Sequence, residues 1–382
     1  MALGHNMKWA NKLFLTKKKN IYDTDKSDAV FVKAMKENCL FEYSHNPDYK
    51  RILDEAHFDP KSINSYSDLA SIPFLPTLYF KHHEMLSIPK RRCLVKATSS
   101  GTSGHNVSLI GVSFSDLWRG WEMIRRVFSY HHVWSSKPTH FLIFGYEPNR
   151  HNKRAIAKTA HGFSFTSPGI TKDYAIRYKN DHYEVDLDNI EKKLIKYSKG
   201  HLPIRTLGFP AYTYFLLEKM KSEGIKLTLP KGSLLTLGGG WKQFYKEKVN
   251  KQDFYDLAYD VLGISDNQIV EFFGAVEHPI LYTDCRCHHF HIPSYARVII
   301  RDVDTLKPIP NGQVGLINLL TPMVKATPVL SVVTDDLGIL HEEKCPCGEK
   351  GYWLEILGRS GLDDIKTCAA GAEEILKGGK EK

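Results

Sequence analysis

Apolar residues recur at helical spacing between Ala29 and Tyr43 (AVFVKAMKENCLFEY), which predicts a helix near the start of the chain. The Pro-punctuated stretch that follows, IPFLPTLYFKHHEMLSIPKRR, reads as an extended crossing segment. Short apolar runs then alternate with helical patterns. HFLIFGY (140–146), IRTLGFP (204–210), SLLTLGGG (233–240) and QIVEFFGAVE (268–277) read as buried strands. The segments 113–133, 189–199, 211–223 and 241–262 read as the helices between them. Such alternation predicts an α/β fold with a largely parallel sheet covered by helices.

Past residue 290 the pattern becomes β-rich. ARVIIRDVDTLKPIPNGQVGLINLLTP holds two β-rich runs around a Pro/Asn/Gly connection, predicting an antiparallel hairpin. LSVVTDD and YWLEILGRS continue the β character. The expected organisation is one main domain over 1–357, β-rich from about 290, and a short C-terminal tail over 358–382.

Composition narrows the class. The 382 residues are 42% hydrophobic and 25% charged, which argues against a mainly disordered, collagen-like or small disulfide-stapled chain. No run of 18 apolar residues suggests a membrane span, and the first residues hold no secretory signal, so a soluble cytoplasmic protein is expected. The net charge of +9 fits a mildly basic enzyme surface as well as a polyanion-binding one. Seven Cys, an odd number, point away from a disulfide framework and toward metal binding or a reactive thiol.

Five constellations carry candidate chemistry. Ser99, Ser100, Gly101, Thr102, Ser103 and Gly104, preceded by Thr98, form a Gly/hydroxyl loop whose N–H groups and hydroxyls suit phosphate. It lacks the Gly-Lys-Ser/Thr ending of a Walker loop, and by itself it also fits a solvated turn. Gly274-Ala275-Val276-Glu277 ends a strand with a carboxylate at the sheet edge where open α/β sheets bind ligands; Glu277 there suits Mg²⁺ on nucleotide phosphates. Asp335 and Asp336 after a strand suit ribose hydroxyls, and Arg359 suits bidentate phosphate contact, although an acidic turn and a surface Arg fit equally when taken singly. Cys285, Cys287, His291, Cys345 and Cys347 have the ligand types of a tetrahedral zinc site. The Cys285-x-Cys287 spacing is tight, so one of these two thiols with His291 is an alternative set. Last, Cys368 lies near the C-terminus, with Lys366 placed to favour its thiolate and Asp363 and Asp364 to oppose it.

In this order the motifs resemble the adenylate-forming superfamily of acyl-CoA ligases, aryl ligases and luciferases. Asp302-Val303-Asp304-Thr305, Pro310-Asn311-Gly312 and Gly315 match its hairpin, and Gly358-Arg359 its hinge. Within it the chain is most similar to the acyl-protein synthetases of bacterial bioluminescence, through IPFLPTLYFKHHEMLSIP and VEHPILYTDCRCHHFHIPSYARVIIRD. The resemblance implies a large adenylate-forming N-terminal domain, with mixed sheets, flanking helices and a small β subdomain. It also implies ATP and Mg²⁺, with 99–104 on phosphates, Gly238, Gly239 and Gly240 near adenine or the acyl head, and Asp335 or Asp336 on ribose. Phe209, Tyr212 and Phe215 are candidates for the acyl pocket or for helix-core packing.

The implied reaction activates a long-chain fatty acid as acyl-AMP, transfers the acyl group to Cys368 and delivers it to a partner reductase. The tail past Arg359 is expected to lack the usual C-terminal domain and its lysine, which favours an internal thiol over coenzyme A. The alternatives are a phenylacetate-CoA-ligase-like acyl- or aryl-CoA synthetase and, from another class, a zinc-containing nucleic-acid-binding protein. The basic residues form no stripe interleaved with aromatics, which tells against the last.

Overall fold

The computed structural model describes residues 7–17, 19, 21–98, 108–148, 161–179, 182–241 and 249–359, of which 96–98, 179 and 359 are described by backbone alone. The N-terminal part is helical: α1 (Lys8–Phe14), α2 (Thr24–His45) and α3 (Pro47–Glu55). The periodic run at Ala29–Tyr43 lies within α2, which buries Phe31, Val32, Met35 and Cys39. The stretch read as an extended crossing segment is only partly extended. It forms β1 (Leu75–Pro76), then one short turn of helix, α4 (Tyr79–His82).

A hairpin of β2 (Val95–Thr98) and β3 (Leu109–Val112) comes next. Helix α5 (Phe114–Tyr130) starts at Ser113, which forms a reciprocal capping box with Asp116. Then follow β4 (Thr139–Tyr146), β5 (Gly169–Lys179), β6 (His182–Val185), α6 (Leu187–Ser198), β7 (Ile204–Gly208), α7 (Pro210–Ser222), β8 (Leu234–Gly238) and α8 (Lys251–Leu262). Pro210 opens α7 at a position where its missing N–H costs nothing, and Gly263 ends α8 with φ +64°.

The chain continues through β9 (Ile269–Ala275), β10 (His278–Thr283), β11 (Phe290–His291), β12 (Arg297–Arg301), β13 (Gly315–Leu320), β14 (Ser331–His341) and β15 (Trp353–Arg359). Among the described residues one sheet has seven strands in the order β10-β9-β8-β7-β4-β5-β6. Its centre is parallel, and β10 and β6 close its edges antiparallel. The largely parallel sheet read from the alternation of runs is therefore present. The β5–β6 pair has half-polar faces, which gave no continuous apolar run to find.

The second sheet runs β11-β15-β14-β13-β12, with β1 added parallel to β14. Its β12–β13 pair is the antiparallel hairpin expected from the sequence. One apolar core joins α1, α2 and α5 to this sheet, and another packs α6, α7 and α8 on the parallel sheet. Phe215 and Tyr212 pack against the latter. The boundary expected at 357/358 falls inside β15, where Gly358 and Arg359 pair with Leu337 and Asp336.

Candidate active site and a cysteine–histidine cluster

The parallel strands β7, β8 and β9 end along one edge of their sheet, the usual ligand edge of open α/β folds. Gly238 closes β8 beside Phe272, and Gly239 and Gly240 follow with φ of 82° and 66°, a conformation that excludes most side chains. At the end of β9 the chain turns through Val276 and Glu277 into β10. A Cβ on Gly274 would stand 2.9 Å from the Ile280 carbonyl oxygen, so the hairpin closes around a position that only glycine fills.

Glu277 is 5% exposed. Burial pushes its carboxyl pKa up and the nearby Asp335 charge adds to that, whereas a hydrogen bond from the Ser108 hydroxyl and the Lys81 ammonium act the other way. Carboxylate oxygens of Glu277 and Asp335 are hard donors of the kind that hold Mg²⁺ against phosphates. Ser108 lies directly before β3, at the foot of the hairpin that carries residues 99–107. The candidate phosphate loop Ser99–Gly104 lies outside the described residues, as do Lys366 and Cys368.

Asp335 and Asp336 lie inside a strand, not after one as the sequence reading had them. β14 continues to His341 because β15 returns beside it and supplies hydrogen-bond partners from Asp336 to His341. β1 pairs with Val332 and Val333 of the same strand. The ends of β1 and β15 therefore meet near Thr334 and Asp335. Arg359 is the register partner of Asp336.

The opposite end of β10 carries different chemistry. β10 is six residues long, or about 20 Å at strand rise, and leads from Glu277 to Cys285. Ligand atoms of Cys285, His291, Cys345 and Cys347 lie within 4.8 Å of one another. Cys285 Sγ is 3.7 Å from Cys345 Sγ, and Cys347 Sγ is 3.3 Å from His291 Nε2. Three thiols and an imidazole are the donor set of a structural zinc site. Burial pulls the His291 pKa down to about 4, which keeps the ring neutral as a ligand must be.

The fifth candidate, Cys287, stays outside this group; its backbone N–H donates to Cys285 Sγ. His289, passed over in the sequence, places Nδ1 3.3 Å from Cys345 Sγ and stacks on Trp353 with ring centroids 3.7 Å apart. Its place in Cys-His-His-Phe-His was the available signal, but adjacent histidines look alike until a strand assigns their faces. The cluster joins the loop after β10 to the β14–β15 turn, and so ties the two sheets together.

A family model described as "Acyl-protein synthetase, LuxE" matches residues 10–377. The chain belongs to the acyl-protein synthetase family. The chain is thus a ligase. A long-chain-fatty-acid–luciferin-component ligase of Aliivibrio fischeri is 24% identical over 366 residues, 96% of this chain and 93% of the relative. A phenylacetate-coenzyme A ligase of Thermus thermophilus is also 24% identical, over 89% of this chain and 72% of its own length. Among solved structures, 2-hydroxyisobutyryl-CoA ligase in the postadenylation state aligns with TM-score 0.67 and 14% identity, covering 90% of this chain and 69% of that one. This acyl-protein synthetase family member therefore has the adenylate-forming fold.

Proposed function

We propose that this protein activates a long-chain fatty acid with ATP and then carries the acyl group on its own thiol. The observation that carries the reading is the family match across 10–377, a span that includes both Glu277 and Cys368. In the first step a carboxylate oxygen attacks the α-phosphorus of ATP. An O–P bond forms, the bond to pyrophosphate breaks, and pyrophosphate leaves with the electron pair. Mg²⁺, when bound, offsets phosphate charge. Ser99–Gly104 hold the phosphates, Gly238–Gly240 admit the adenine or acyl head closely, Asp335 and Asp336 take the ribose, and Glu277 holds the cation. Arg359 adds a phosphate contact at the hinge.

In the second step the Cys368 thiolate, favoured by Lys366, attacks the acyl carbonyl. A C–S bond forms, AMP leaves, and the thioester passes to a reductase partner. The tail 358–382 is the part that delivers the thiol, and the body before it is the adenylation domain. Cys285, His291, Cys345 and Cys347 hold a structural zinc ion, with Cys287 outside the ligand set. Relatives named for long-chain-fatty-acid ligation support the fatty acid, and the family's description as acyl-protein synthetase supports a protein acceptor.

A second reading, acyl- or aryl-CoA synthesis, is favoured by the phenylacetate-coenzyme A ligase relative. The test is incubation with ATP, Mg²⁺ and labelled tetradecanoic acid, comparing the wild type with Cys368→Ser. Label on the wild type alone is expected. Label persisting on Cys368→Ser overturns the assigned thiol, and free acyl-CoA formed with coenzyme A favours the second reading. Failure to form acyl-AMP overturns both.

A further inference from the structure

Lys81 belongs to the stretch IPFLPTLYFKHHEMLSIP but has been given no role, and four elements bring it towards the site. β1 runs parallel to β14 and hands the chain to α4 beside Thr334 and Asp335: Leu75 and Pro76 pair with Val332 and Val333, and the Thr77 N–H donates to the Val333 carbonyl at 3.1 Å. α4 also packs on β3, whose preceding residue is Ser108. Ser108 and Lys81 both act to lower the pKa of the Glu277 carboxyl. Helix α4 and Ser108 thus lie on the side of the molecule where β14 carries Asp335 and where Glu277 follows β9. Lys81 is half-buried there.

A lysine beside two carboxylates at a sheet edge has two uses. It neutralises the carboxylates, or it meets a polyanion that those carboxylates bind through a cation. The second accounts for the placement better. Among the described residues no ion pair joins Lys81 to the buried Glu277, so the ammonium is not held on that carboxylate.

We propose that Lys81 is a catalytic residue of the adenylation step, its ammonium contacting the phosphate chain of ATP as pyrophosphate leaves. The inference rests on the function proposed above. As the bond between the α-phosphorus and the pyrophosphate oxygen breaks, negative charge grows on the departing oxygens. A fixed cation in a partly dehydrated site stabilises that charge more than the ground state. The proton stays on Lys81, and nothing is oxidised or reduced.

The test follows fatty-acid-dependent exchange of labelled pyrophosphate into ATP, together with equilibrium binding of pyrophosphate and of adenosine. Lys81→Met is expected to slow exchange about 100-fold or more and weaken pyrophosphate binding, with adenosine binding and thermal midpoint unchanged. Lys81→Arg, which keeps a cation, is expected to recover most of the exchange, and Lys81→Gln stands in if the Met variant is unstable. Normal exchange in both neutral variants overturns the inference and leaves the proposed function standing. Loss of thermal stability without loss of pyrophosphate binding overturns it too, showing a structural ion contact. A wild type without exchange overturns the function, and Lys81's role with it.

Discussion

The thiol sulfurs of Cys285 and Cys345, sixty positions apart in the chain, lie 3.7 Å from each other. That is too long for a disulfide and close to the edge of a ZnS tetrahedron, about 3.8 Å for bonds of about 2.3 Å. The 3.3 Å between Cys347 Sγ and His291 Nε2 is near the mixed S/N edge of about 3.6 Å. One zinc per chain is expected by metal analysis. Cys345→Ser and Cys285→Ser should lose it, and Cys287→Ser should keep it. Cys285 and Cys347 line a cavity of about 730 Å³, so a chelator has access and should lower the thermal midpoint.

Glu277 should show a conflict between stability and activity. Its folded-state pKa is raised by burial, so the folded state binds this proton more tightly than the unfolded chain does. Its favourable contribution is complete below the unfolded value and is lost as pH rises through the folded one. Glu277→Gln should therefore melt higher than the wild type at neutral pH, with the difference vanishing in acid. Adenylation by the same variant should collapse. In the wild type, the acid limb of kcat/KM should lie above the ordinary carboxylate range.

Asp335 and Asp336 alternate faces along β14, so one substitution should outweigh the other. Loss of a charge-assisted hydrogen bond to ribose costs about 1.5–3 kcal/mol, or about 10–100-fold in KM for ATP. Steady-state kinetics of Asp335→Asn and Asp336→Asn should show that increase in one variant. Equal, small effects in both would remove the ribose role from this pair.

Asp116 is predicted to matter for folding rather than chemistry. It caps α5, pairs with the fully buried Arg119 and accepts the Lys325 N–H at 2.9 Å. Arg119 in turn donates to the Met323 carbonyl at 2.6 Å. Asp116→Ala leaves that guanidinium buried and unpaired, a loss of about 3–5 kcal/mol. Denaturant unfolding should show it, with pyrophosphate exchange per folded molecule unchanged.

The fold was legible where burial writes a strong pattern. β4, β7 and β8 are buried along most of their length, so they appear as mostly apolar runs, broken only by buried polar residues such as Arg205, Thr206 and Thr236. β5 and β6 carry Lys172, Asp173, Arg177 and Glu184 among apolar residues and gave no such run. Gly274 and Glu277 were legible as neighbours because their chemistry is local: a tight hairpin and the carboxylate at its turn.

The sequence by itself determined the α/β class, the order of the motifs and the donor types of the Cys/His set, because these depend on composition and short-range period. Only the tertiary structure decided that Asp335 sits inside a strand, that Cys287 stands outside the cluster His291 joins, and that α4 brings Lys81 within electrostatic range of Glu277. Each of those facts depends on which distant strand pairs with which. Strand pairing is fixed by burying two sheets against common cores, and that long-range balance leaves no short-range mark on the residues it brings together.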